Sequence, residues 1–192
     1  MKKLIILAAL IIMSASVFAQ GIEWGAKAGL NMATETHTRS LKGSNVKMRP
    51  GLFAGVFGEY VISDYFGIQG ELLYSMMGIK VKNLDFGGDK TDYVTYKTDY
   101  IVLPVLAKLY VAEKLSLDLG PQFGYMISAK ADGTSYYDYV DKKFDVSFGM
   151  GLSYRLSSKF DISGRYNLGL TKLAEHSDNK NSVIQFGIGY RF

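Results

Sequence analysis

The sequence predicts an all-β fold, an eight-stranded antiparallel up-and-down transmembrane β-barrel. Three observations predict it. Apolar and polar residues alternate with a period of two along nearly the whole chain after residue 20. The alternating segments are joined by short turns and long polar stretches in strict succession. The composition is rich in Gly (21), Tyr (14) and Phe (11) and poor in Pro (3), which favours strands and tight turns over helices.

The N-terminus reads as a secretory signal. Lys2 and Lys3 form a basic start, "LIILAALIIM" an apolar run, and Val17 and Ala19 the small residues before a cut after Ala19. The apolar run is short for a spanning helix, which needs about 20 residues. The expected domains are a signal peptide over 1–19 and one barrel domain over 20–192.

The strands follow in order. "IEWGAKAGLNM" sets Ile22, Trp24, Ala26, Ala28, Leu30 and Met32 against Glu23, Gly25, Lys27, Gly29 and Asn31. "LFAGVFGEY" sets Leu52, Ala54, Val56 and Tyr60 against Gly55 and Glu59. "FGIQGELLY" sets Phe66, Ile68, Leu72 and Tyr74 against Gln69 and Glu71. The fourth, "YIVLPVLAKLYV", is almost wholly apolar, with Lys108 given to the polar face. In "LSLDLGPQFGYMI" Leu115, Leu117, Leu119, Phe123, Tyr125 and Ile127 oppose Asp118, Gly120, Gln122 and Gly124. "FDVSFGMGLSYR", "FDISGRYNLGL" and "VIQFGIGYRF" complete the set with the same alternation. Short turns are expected at "ISD", "AEK" and "LSS", and long polar loops over 33–49, 81–95, 129–142 and 171–181.

Two prolines interrupt strands, Pro104 and Pro121. Proline cannot donate to a ladder and avoids central strands. Both lie about equally far from "AEK", so they are expected at one height on adjacent strands. A β-bulge is expected there, with Gly120 taking up the unusual backbone angles.

Alternation leaves open which face is inside. The polar face carries Glu23, Lys27, Glu59, Glu71, Lys108, Asp118, Asp145, Arg155, Asp161, Arg165 and Arg191, nearly balanced in sign and interleaved with glycine. Small residues and matched charges suit a narrow interior where ions must pair. Trp24, Tyr60, Phe66, Tyr154, Phe160, Tyr190 and Phe192 gather at the short-turn end, as an interfacial girdle does. The apolar face is therefore expected outward, toward lipid, with Leu117 and Ile162 at mid-membrane and Phe192 facing lipid at the inner interface. Short turns on one side and long loops on the other match an outer-membrane barrel. The expected location is the bacterial outer membrane.

The run "GLFAGVFGEYVISDYFGIQGELLYS", the strand "IVLPVLAKLY", the segment "LDLGPQFGYMISAK" and the endings "RYNLGL" and "GYRF" resemble the PorT-like outer-membrane β-barrel family. The resemblance implies the same fold and location and a link to protein secretion. It carries over no catalytic motif.

No catalytic, cofactor-binding or metal-binding residue is expected. Cysteine is absent. The two histidines, His37 and His176, are isolated in loops, and nothing selects a serine to join either in a triad. "GGDKTD", Gly87 to Asp92, lacks calcium-loop spacing. Glu59 and Glu71 read as ion-pair partners rather than as an acid–base couple. The tyrosines of "SYYDY", Ser135 to Tyr139, are expected against lipopolysaccharide headgroups, or as a contact surface. The function expected is a non-enzymatic structural or surface-interaction barrel. Its expected partners are outer-membrane lipid and lipopolysaccharide, the barrel assembly machinery, and a surface or secretion partner on the long loops. A net charge of +4 is too mild to argue for nucleic acid. The alternatives are a barrel enzyme, of lipid acyltransferase or protease type, and a small pore.

Overall fold

A computed structural model describes residues 21–36, 46–82, 93–131, 133–140, 142–171 and 180–192. Eight long strands wind in chain order. They are β1 (Ile22–Thr36), β2 (Val46–Ser63), β3 (Phe66–Lys82), β4 (Tyr93–Ala112), β5 (Leu115–Ala131), β6 (Phe144–Arg155), β7 (Phe160–Gly169) and β8 (Lys180–Arg191). Each pairs antiparallel with the next, and β1 pairs with β8, so the sheet closes on itself. A two-residue strand, Thr134–Ser135, folds back on the end of β5, and a single 3₁₀ turn, Tyr137–Tyr139, follows.

Closure fixes the stagger. Cα partners lead from Ile22 through Tyr60, Ile68, Ala107, Leu119, Met150, Tyr166 and Ile184 back to Met32, ten residues along β1 from Ile22. A stagger of this kind obliges the strands to tilt by about 35–45° to the barrel axis. No backbone edge is then left open along the spanning strands, as a hydrocarbon environment requires.

The alternation predicted from sequence sets the two faces. Leu30, Leu52, Val56, Leu72, Met150 and Ile188 are exposed on the outside. Glu59, Glu71, Asn31, Asp118 and Asn167 are buried inside. In β4 the pattern is equally strict: Val102, Pro104, Leu106 and Lys108 are buried, and Ile101, Leu103, Val105 and Leu109 are exposed. Burial alternates there although the sequence does not, because the interior beside β4 is itself partly apolar.

Several expectations are corrected. The strands run further than the sequence pattern indicates, to Thr36, Lys82 and Ala131, so much of the stretches read as loops is ladder. Leu117 and Ile162 face outward but sit only two residues above the starts of β5 and β7, near the short-turn girdle and not at mid-membrane. The positions midway along the spanning stretch are Val56, Leu72 and Met150.

The expected bulge at Pro104 and Pro121 is absent. The β4–β5 register is constant from Ile101↔Tyr125 to Tyr110↔Ser116. Val105 and Leu106 drop out of the pairing opposite Pro121 and Gly120, and on the β3 side Glu71 and Leu72 drop out opposite Pro104 and Leu103. Each proline thus removes ladder pairing on one side without shifting it. Pro104 pairs with Gln122, so the two prolines do share a height. Gly120 does not take a positive φ. Its role is close approach, since a Cβ there would lie 2.0 Å from the Val105 carbonyl oxygen. The register shifts lie elsewhere. One falls between Met48 and Phe53 around the third proline, Pro50, and another lies beside Tyr100 and Met126.

Candidate functional site: the barrel interior

The interior is built in three layers, each supplied by inward positions of successive strands. At the short-turn end lies an ionic base. Among the described residues, five cations (Lys27, Lys108, Arg155, Arg165, Arg191) pair with five carboxylates (Glu23, Glu59, Glu71, Asp118, Asp161). Glu71 of β3 receives Arg165 of β7 through two hydrogen bonds, 2.9 and 2.6 Å, and Lys27 of β1 at 3.1 Å. Glu59 of β2 receives Arg191 at 2.8 Å, Lys108 at 3.4 Å and Arg155 at 3.5 Å, and Tyr110 donates its hydroxyl to it. Arg191 also reaches Glu23 and Asp161, so one side chain of β8 ties together β1, β2 and β7 at the closing seam.

Gln69 joins the two halves of the base. Its amide donates to Glu71, and its carbonyl accepts from Lys108 at 3.1 Å. Lys108 also stands 3.7 Å from Asp118, which accepts from Ser116 and Ser153. A buried charge is tolerable only when paired and hydrogen-bonded. A connected network of equal charges meets that condition without emptying the barrel.

Above the base lies an amide belt. Asn167 of β7 donates to Gln185 of β8 (2.8 Å), Gln185 to Asn31 of β1 (2.9 Å), and Asn31 to Ser75 of β3 (2.8 Å) and to the Met76 carbonyl (3.0 Å). The donors all run in one direction, crossing half the circumference.

The third layer is apolar. Ala33, Phe53, Leu73, Met77, Tyr100, Val102, Met126, Ala129 and Val183 form one buried cluster at the long-loop end. Tyr136, Tyr137 and Val140 pack against it from the segment after β5. The Tyr137 hydroxyl donates to the Met126 carbonyl (3.3 Å), Lys143 lies 4.0 Å over the Tyr137 ring, and Tyr96 meets Tyr136 edge-on. Fully burying a side chain such as Phe53, Leu73 or Met126 contributes about 1.5–3 kcal/mol. The two tyrosines are half-buried against this layer. Tyr136 and Tyr137 thus cover the apolar layer at its outer end.

Of the eleven charged residues read from sequence as interior, ten join the ionic base. Asp145 stands apart near the long-loop end. It accepts from Thr171 and, at 3.1 Å, from Asn181, pinning the ends of three strands. Glu59 and Glu71 are ion-pair partners, as expected. The apolar cap is not anticipated in the sequence reading, although Phe53 and Leu73 stand at polar-parity positions in the sequence and signal it. His37, His176 and the segment Gly87 to Asp92 lie outside the described residues. Among the described residues no three His, Asp or Glu gather in a metal-binding group.

A cavity of about 300 Å³ opens at the short-turn end, between Glu59, Lys108, Tyr110, Arg155, Asp161 and Arg191. Charged residues of the base line it. The girdle around its rim is lipid-facing: Trp24, Tyr60, Tyr154 and Phe160 are exposed, and Phe192 is 81% exposed with its N–H held by the Trp24 carbonyl at 3.0 Å.

The family model of the outer membrane protein beta-barrel domain matches residues 18–175. The chain belongs to this family. The barrel domain is accordingly an outer-membrane protein, with the short turns on the periplasmic side and the long loops outside. Its fold is similar to that of Ail, the attachment invasion locus protein of Yersinia pestis, solved with the heparin analogue sucrose octasulfate. The two share 18% identity at a TM-score of 0.53, over 90% of this chain and 100% of that one. It is also similar to Neisserial surface protein A, at 15% identity and a TM-score of 0.55, again over 90% and 100%. No curated protein sequence matches the chain.

Proposed function

We propose that this is a non-conducting, non-enzymatic barrel that acts through its outer end, as a structural or surface-contact protein. The filled interior carries this reading. Ionic base, amide belt and apolar cap follow one another along the axis, and an eight-stranded barrel is just wide enough to be filled by side chains in this way. The hydroxyls of the base, Ser116 and Ser153, both donate to Asp118, which is itself paired with Lys108. Neither serine faces a base free to activate it. The names of Ail and Neisserial surface protein A support a surface role by analogy of fold.

The finer reading places the chain in the PorT-like branch, with a signal peptide over 1–19 and a link to protein secretion. Its partners are outer-membrane lipid and lipopolysaccharide, the assembly machinery, and a surface or secretion partner on the outer loops. Planar-bilayer recording of the refolded protein should give no single-channel steps; stable steps would make it a pore. A deletion strain should change in adhesion, surface secretion or envelope integrity and be restored by the intact gene. A wild-type phenotype on all three would remove the surface-contact reading.

A further inference from the structure

On the outer wall the β4–β5 register sets Lys97 directly opposite Lys130. Both are exposed, and among the described residues neither forms an ion pair. Directly opposed residues hold their Cβ atoms about 4.5–5.5 Å apart, and like charges so placed destabilise the pair. Asp99, two residues along β4 from Lys97, is engaged by Tyr74.

Depth says what the opposed lysines would meet. Below them the outward residues of β4 are Ile101, Leu103, Val105 and Leu109, and those of β5 are Phe123, Tyr125 and Ile127, all exposed. From Val111 to Ile101 β4 spends eleven residues in the apolar band, the length a tilted strand needs to cross. Lys97 and Lys130 are the first cations above it, at headgroup height on the outer side. A ligand that fits has acyl chains against the apolar band and a phosphate at its top.

We infer that Lys97 and Lys130 clamp a phosphate of a phosphorylated outer-leaflet lipid, held between the two ammonium groups. The inference rests on, and deepens, the lipid-partner part of the proposed function. The opposition that is unfavourable in the free wall becomes the reason for affinity, because one multivalent anion neutralises both charges.

The test is native mass spectrometry of the full barrel released from nanodiscs doped with bis-phosphorylated lipid A or with its phosphate-free counterpart. Wild type should retain the phosphorylated lipid at least about tenfold more than the phosphate-free one. Lys97→Gln/Lys130→Gln should lose that preference, while Lys97→Arg/Lys130→Arg and the periplasmic-side Lys114→Gln keep it. Retained heat-modifiable migration in the Gln variant excludes misfolding. Equal retention by the Gln variant would overturn the site while leaving the lipid partner standing. Failure of wild type to retain phosphorylated lipid would overturn both. Full displacement by millimolar inorganic phosphate would assign the clamp to a soluble anion and overturn the lipid reading.

Discussion

Arg165 of β7 and Glu71 of β3 meet across the barrel interior in a bidentate pair, Nη1–Oε2 2.9 Å and Nη2–Oε1 2.6 Å. The two strands are not neighbours in the sheet, so the pair works as a strut across the lumen. Two parallel bonds fix both side chains, and Lys27 brings a second cation to the same carboxylate.

Removing the carboxylate strands two buried cations. Glu71→Gln should destabilise the barrel by about 3–5 kcal/mol, the cost of breaking a buried pair from one side. The triple variant Lys27→Met/Glu71→Met/Arg165→Met should lose much less, since it leaves no charge unpaired. Urea unfolding in lipid vesicles measures both. A triple variant weaker than Glu71→Gln would show that these ions hold the barrel by more than mutual neutralisation.

The outer face should respond to charge by depth. Arginine at Val56, Leu72 or Met150, midway along the spanning strands, should cost about 2–4 kcal/mol. At Leu117 or Ile162, near the periplasmic girdle, the same change should cost about 0–1 kcal/mol. The same unfolding assay compares them, and equal losses at the two depths would remove the assigned membrane position.

The inward Gly29 should tolerate nothing larger, whereas the outward Gly70 should. A Cβ at Gly29 would stand 2.0 Å from the Phe186 carbonyl oxygen, while at Gly70 it would meet nothing within 4 Å. Gly29→Ala should therefore cost about 1–3 kcal/mol through strand displacement. Gly70→Ala should stay within about 0.5 kcal/mol of wild type. The expectation fails if both behave alike in refolding yield and urea midpoint.

Trp24 is the only tryptophan and covers Gly58 on the lipid side of the periplasmic girdle. Its emission should be quenched more by lipids brominated near the headgroup than by lipids brominated near the chain end. The opposite order would place the girdle too deep and move the whole barrel in the membrane.

The strands, their number, the closed antiparallel order and the outward face were all legible in the sequence. Each rests on period-two alternation, and a closed barrel in lipid admits only one arrangement in which the charged parity is inside and paired. The eleven interior charges were legible for the same reason. Which cation meets which carboxylate was not. Arg165 finds Glu71, and Arg191 finds Glu23, Glu59 and Asp161, through a ten-residue stagger that only closure of the sheet sets. The apolar cap likewise needed the tertiary structure. Phe53, Leu73 and Met126 stand at positions of polar parity, and Tyr136 and Tyr137 lie in a stretch that reads as loop. They become a core only because five long strands rise above the shorter β6, β7 and β8 and leave a mouth to fill. The prolines divide the same way. Their lost donors follow from chemistry alone, but whether a ladder bulges or merely skips a bond depends on the neighbouring strands. At Pro104 and Pro121 constant registers on both sides left no room for an extra residue.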